Sequence, residues 1–334
     1  MEFWSELGLF AAKTGLIVFA FATLIILGAL LAAKAKQKPE LEVDHLNEKY
    51  KHTQILLKGM TSTKEALKSE KKQKKKKKEN VLSRPKLFVL DFKGDMKASA
   101  VDQFRDEITS LLLIATPQDR VAVRVESPGG VVHGYGLAAS QMLRVRERGI
   151  PLTACVDKVA ASGGYLMACT ANQILSAPFG IIGSIGVIAQ VPNFNRILKK
   201  NDVDYKEYTA GEFKRTVSIF GPITEKGEEK FLEQLEQTHT LFKKFVGQNR
   251  PQLQLETVAT GEYWFGTDAQ ALGLVDEIRT SDDFILSHLD SHQILHLKII
   301  KKQPLREKLS GILGQALQNG LQKVWQELDS RRLI

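Results

Sequence analysis

RVAVRVESPGG, residues Arg120–Gly130, is a short valine-rich run that stops at a Pro-Gly-Gly turn. β-Branched residues in a run of this length, bounded by turn residues, read as a strand. Val131 to Arg148 follows with the patterning of a helix. The same order holds upstream. KLFVLDFKG (Lys86–Gly94) reads as a buried strand, and Ser99 to Leu113 as a helix with Val101, Phe104, Ile108, Leu111 and Leu112 on one face. Downstream, IPLTACV (Ile150–Val156), NQILSAP (Asn172–Pro178) and SIGVIAQV (Ser184–Val191) read as further strands, with the small residues of VAASGGYLMAC (Val159–Cys169) between the first two. Thr224 to Val246 reads as an amphipathic helix whose apolar face is Phe231, Leu235, Phe242 and Phe245. Strands alternating with helices predict parallel βα units and an α/β fold. The chain shows no internal repeat.

The chain has 334 residues, 43% hydrophobic and 25% charged, enough for a cored fold of about two domains or one domain with appendages. That composition excludes a fully disordered protein. Two cysteines, Cys155 and Cys169, exclude a disulfide scaffold and a thiolate zinc site. No metal or cofactor is expected. The net charge of +9 is local: 17 Lys and Arg against 7 Asp and Glu lie between Lys34 and Lys86, which leaves 30 against 31 elsewhere. The sequence therefore describes a nearly neutral globular part behind one basic segment.

Ahead of that segment, Thr14 to Ala33 reads TGLIVFAFATLIILGALLAA, 20 residues without a charge. At 1.5 Å per residue this spans the roughly 30 Å of bilayer hydrocarbon. The alternative is a cleaved signal peptide, supported by Ala33-Lys34-Ala35. The long apolar run and the acidic Glu2 and Glu6 favour a retained anchor. Lys34, Lys36 and Lys38 just after the span place the bulk of the chain in the cytoplasm by the positive-inside rule. Residues 34–85 read as a basic, disordered linker. It carries seven lysines among the eight residues Lys71 to Lys78, a solvated spacer or a clamp on anionic lipid. No aromatic residue interrupts the run and no recognition module is present, so no nucleic-acid partner is expected. Residues 1–13 form the N-terminal flank. Residues 301–334 have a helical, amphipathic pattern suited to packing in a core or interface, or to lying on a membrane.

The chemistry gathers between Ser127 and Lys214. Ser162 stands in Ala160-Ala161-Ser162-Gly163-Gly164-Tyr165, where small residues and two glycines permit a sharp strand-to-helix turn with close backbone approach. A serine there is an N-cap or a nucleophile. Ser127-Pro128-Gly129-Gly130 leaves backbone N–H groups uncovered, as an oxyanion hole requires, or is an ordinary turn. A nucleophilic serine needs a base. His133, just after the glycine turn, is the one histidine placed for it. His45 and His52 lie in the linker, His239 is mid-helix, and His288, His292 and His296 sit in a polar stretch. The other route is a desolvated neutral lysine, with Lys214 in Gly211-Glu212-Phe213-Lys214-Arg215 a candidate.

Taken together, SPGG, ASGGY, GSIGV (Gly183–Val187) and a lysine 52 residues after the serine resemble the signal peptide peptidase A family of serine–lysine peptidases, across about Lys86 to Ile278. Thr260-Gly261-Glu262 through Ala271-Leu272-Gly273-Leu274-Val275-Asp276 resembles that family's closing segment. The anchor, basic insertion and single peptidase unit are most similar to the family's branch of inner-membrane proteases. The resemblance implies a ClpP/crotonase-like spiral of ββα units over residues 86–300. It also implies Ser162 as nucleophile, Lys214 as general base, Ser184 orienting the lysine, and Gly129, Gly130 and Gly163 at the oxyanion hole. Glu126 stands where the family usually has Asn. The implied activity is hydrolysis of membrane-associated, signal-peptide-like or misfolded polypeptides on the extracytoplasmic side of a bacterial inner membrane. That side conflicts with the flanking charge. A homo-oligomeric ring is implied too, with serine and lysine from neighbouring protomers. Two alternatives have the same fold: an inactive membrane-tethered scaffold and an acyl-CoA enzyme of the crotonase type.

Overall fold

The computed structural model describes residues 13–16, 18–21, 23–24, 40–61 and 84–300. Contacts divide the chain into residues 1–42 with 299–334, and residues 43–298. In the first unit the described pieces between 13 and 24 are helical, with Leu16, Phe19 and Phe21 exposed.

Ten strands are described: β1 (Glu40–His45), β2 (Lys86–Lys93), β3 (Arg120–Glu126), β4 (Leu152–Val156), β5 (Val159–Ala161), β6 (Gln173–Ser176), β7 (Ile181–Gly183), β8 (Tyr263–Phe265), β9 (Glu277–Ile278) and β10 (Gln293–Ile300). Between them run α1 (Leu46–Thr61), α2 (Val101–Leu112), α3 (Val132–Arg146), α4 (Gly163–Ala168), α5 (Asn195–Lys200), α6 (Glu225–Asn249), α7 (Leu255–Val258), α8 (Gly266–Ala271) and α9 (Ser281–Ser287). Seven strands form a sheet in the order β1-β10-β2-β3-β4-β6-β9, and β5-β7-β8 form a small second sheet. The pairings from β10 through β9 are parallel, with Phe88 opposite Val121 and Arg124 opposite Cys155.

Parallel strands covered on both faces carry apolar residues at consecutive positions. β2 shows it: Phe88, Leu90 and Phe92 enter one core cluster with Phe104 of α2 and Tyr135 of α3, while Leu87 and Val89 enter another with Leu46 and Phe284. Strands at Lys86, Arg120, Leu152 and Gln173, and the helices between Val101 and Arg146, fall where the sequence places them. The long helix does too. Thr224 caps α6 by accepting from the Gly227 N–H at 3.2 Å.

Two expectations change. Ser184–Val191 is not a strand: β7 ends at Gly183, and Gly183 (φ 102°) and Ser184 (φ 52°) turn the chain out of extended geometry. Residues 40–61 of the expected linker are ordered as β1 and α1. Leu46 is buried there, and Asn47 donates to the carbonyls of Leu289 and His292 and accepts from the Ile294 N–H at 2.6 Å. Lys71–Lys78 and the tail 301–334 lie outside the described residues. Among the described residues no helix is long and apolar enough to cross a membrane, and much of 14–33 lies outside them.

Candidate active site

Ser162 joins β5 to α4 with φ 51° and ψ −117°. A non-glycine residue held there is strained, by roughly 1–3 kcal/mol, and persists only where its surroundings fix it. They do: the Ser162 N–H donates to the Gly183 carbonyl at 2.8 Å, and the Ser162 carbonyl accepts the first turn of α4 from Leu166 at 2.9 Å. Small neighbours are required. A Cβ on Gly164 would press 2.5 Å from the Ser127 carbonyl oxygen, and one on Gly163 would overlap the Tyr135 ring.

The Ser127–Gly130 turn lies directly against this elbow. Ser127 bridges to Ala160; its N–H donates to Val159 at 2.8 Å and its carbonyl accepts from Ala161 at 3.0 Å. Gly129 adopts φ 92°, and a Cβ on it would sit 2.7 Å from both the Gly163 nitrogen and Ser162 Cβ. Glycine is thus dictated twice, by conformation and by space. The Gly163 N–H belongs to the first turn of α4 and has no intrahelical acceptor.

Ser162, Gly129, Gly130, Gly163 and Ser184 line one cavity of about 890 Å³. Its walls are largely apolar, with Leu166, Val187 and Ile188 on one part and Leu241, Phe242 and Phe245 of α6 on another. Ser184 is held by its N–H donating to Glu262 at 2.6 Å, which brings Thr260 and Gly261 to the rim. Burial pushes the Cys155 and Cys169 thiols up to about 12, so neither offers a thiolate near neutral pH.

Lys214 is not brought to this cavity within the chain. It sits exposed in a turn, its N–H bonded to Gly211 at 3.1 Å. His133 is exposed on α3 and does not line the cavity either. Among the described residues Ser162 Oγ has no hydrogen-bond partner. Glu126 points elsewhere: Lys158 Nζ donates to it at 2.9 Å and Lys93 Nζ lies 3.9 Å away, beside a separate charged depression with Asp91 and Arg124.

Two of the groups at this cavity carry no signal in the sequence, and a third carries only half of one. Tyr135 lies beneath the elbow. His239 stands in the cavity wall with Nε2 3.2 Å from the Ile185 carbonyl. The face of α6 with Phe242 and Phe245 is legible as apolar, but nothing local says that it walls a cavity rather than only a core.

Peptidase family S49 matches residues 144–294, and Peptidase family S49 N-terminal matches residues 2–142. The chain belongs to peptidase family S49. Among its S49 relatives is "Probable protease SohB" of Haemophilus influenzae, 47% identical over 318 residues, covering 88% of this chain and 90% of that one. A protein of the same name from Buchnera aphidicola is 44% identical over 322 residues, covering 95% and 96%. A solved structure, a mutant 1510-N membrane-bound stomatin-specific protease in complex with a substrate peptide, aligns at a TM-score of 0.42 and 14% identity, over 69% of this chain and 98% of that one. The S49 assignment makes the chain a peptidase by family. Its two glycine motifs are the segments that converge on Ser162.

Proposed function

We propose that this S49 chain is a serine endopeptidase in which Ser162 attacks the peptide carbonyl and Lys214 of a neighbouring protomer takes its proton. The observation that carries the reading is the strained Ser162 elbow, packed against Gly129 and opening into an apolar cavity that Ser184 also lines. Attack makes a tetrahedral oxyanion, which the Gly163 and Gly130 N–H groups stabilise, the Gly129 N–H being engaged by Ser127 Oγ. An amine accepts a proton only in its neutral form, which desolvation favours. Lys214 is exposed in the single chain, so a second copy must cover it. Exposed apolar residues on the segment bearing it support this reading: Ile188, Ile197 and Tyr208 stand 78%, 57% and 89% exposed. Ser184 would then orient the amine. The fold we assign is the ClpP/crotonase spiral, with the second sheet β5-β7-β8 holding the elbow.

The same reading anchors the chain in a bacterial inner membrane through residues 14–33, with Lys71–Lys78 on anionic lipid and the peptidase unit on the extracytoplasmic side. The apolar cavity suits signal-peptide-like or misfolded polypeptides as substrates. The test is hydrolysis of dye-labelled casein by the purified full chain. Ser162→Ala removes one hydroxyl and should be inactive while folded, and Lys214→Arg should be as inactive as Lys214→Ala, because a guanidinium stays charged. Turnover by a clean Ser162→Ala preparation rejects the nucleophile, and an active Lys214→Arg rejects the base.

A further inference from the structure

We propose that Tyr135, acting through Ser127, is a positioning residue that sets the peptide planes of the oxyanion turn. The inference rests on the Ser162 reading above but concerns groups that do not touch substrate. Four groups form one chain of hydrogen bonds. The Gly129 N–H donates to Ser127 Oγ at 3.1 Å, Ser127 Oγ lies 2.5 Å from Tyr135 Oη, and Tyr135 Oη donates to the Asp95 carbonyl at 2.9 Å. The direction is fixed by chemistry. A carbonyl can only accept, so the single phenol proton goes to Asp95. Ser127 then gives its own proton to Tyr135, and its lone pair receives the Gly129 N–H. Both side chains are fully buried, so no water competes for these positions. Burial also pushes the Tyr135 phenol above its ordinary range, which keeps it a neutral donor.

Tyr135 touches both segments that offer N–H groups. Its hydroxyl governs the Gly129 peptide through Ser127, and its ring occupies the space that a Cβ on Gly163 would need. Gly94 completes the seat, because a Cβ there would overlap both Tyr135 Oη and Ser127 Oγ. The far end is anchored as well: the Asp95 carboxylate accepts from the Ser99 N–H at 2.9 Å and from Ser99 Oγ at 2.8 Å. Loss of the phenol oxygen leaves Ser127 Oγ without its acceptor and free to rotate, and the Gly129 peptide loses its fixed orientation. An oxyanion hole works through donors oriented before charge develops, so the cost falls on the transition state rather than on ground-state binding.

Tyr135→Phe, Ser127→Ala and the double variant are compared with wild type in the full chain, using a fluorogenic apolar peptide substrate and a peptide aldehyde inhibitor. Folded fraction is followed by circular dichroism. Tyr135→Phe should lower kcat about 10- to 100-fold with KM changed less than about twofold, in the range of a weakened oxyanion contact. Aldehyde inhibition should weaken in step, because its adduct places an oxygen anion in the same hole. Ser127→Ala should match it, and the double variant should be no worse than either, since all three break one chain. Wild-type kcat in a folded Tyr135→Phe, a loss carried by KM, or losses that multiply in the double variant would overturn the proposal. Ser162→Ala run alongside separates the two readings. If it is inactive and Tyr135→Phe is normal, only the positioning role falls; if it is active, the site itself does.

Discussion

Ser162 and Ser184 both hold positive φ, 51° and 52°, although neither is glycine. Each is fixed by a short backbone bond to another segment, so the strain of two serines is maintained by the sheet that carries them. A different residue shows how charge stabilises the fold. Asp91 on β2 accepts from Arg124 Nε at 2.5 Å and Nη2 at 2.9 Å, and His296 Nε2 lies 3.0 Å away. Burial alone would raise its carboxyl, but the bonds from His296 and Arg124 outweigh it and bring the value from 3.8 to about 2. The folded chain therefore keeps Asp91 charged where the unfolded chain would protonate it. Its contribution is fully present above 3.8 and is lost as pH falls through about 2. Asp91→Asn should cost about 1–2 kcal/mol at neutral pH, discounted for the partial exposure of the pair. It should also flatten the fall in stability between about pH 4 and pH 2, read by urea unfolding across that range; an unchanged acid limb would contradict the assignment.

At the level of elements, α6 does two jobs with one face. Phe242 and Phe245 pack against the core and also wall the Ser162 cavity, and His239 ties the helix to the Ile185 carbonyl. Its start is set by Thr224, whose Oγ1 accepts the Gly227 N–H. Thr224→Ala should therefore lower stability by about 1 kcal/mol, seen as an earlier denaturant midpoint at unchanged slope. Because the cap lies at the helix end away from Phe242 and Phe245, kcat should stay within about twofold of wild type. A larger loss of kcat would mean that the first turn of α6 also shapes the site. Ser184–Val191 shows the opposite relation between pattern and element. Its apolar residues suit a strand, but Gly183 and Ser184 divert the chain into the loop that lines the cavity.

For the molecule as a whole, the proposed nucleophile Ser162 and the proposed base Lys214 are separated within one chain, and among the described residues no local geometry joins them. A ring with one anchor per subunit can keep every anchor on one membrane face, since cyclic symmetry leaves one direction unchanged. The expected consequence is complementation. Ser162→Ala and Lys214→Ala, each inactive alone, should regain activity when mixed and reassembled, because some interfaces then pair an intact Ser162 with an intact Lys214. The mixture is assayed after sizing confirms a mixed assembly. Inactivity at every ratio in such an assembly would place both groups in one chain and sink the shared site.

The sequence by itself determined the parallel βα core, because strands buried on both faces must be apolar at consecutive positions, as in Leu87–Leu90 and Val121–Val123. It also marked Ser162 and the glycines beside it, because close backbone packing tolerates no Cβ at Gly129, Gly163 or Gly164. Only the tertiary structure decided which distant residues meet them. Asn47 is one polar residue in a basic stretch until α1 lies beside Ile294, and Tyr135 is one more helical aromatic until its hydroxyl meets Ser127. His239 gives no local signal of a cavity wall, and Glu126, next to the glycine turn in sequence, is drawn away from it by Lys158. Helical and strand periodicities report which face is buried. They do not report what it is buried against, because that depends on contacts between residues far apart in the chain.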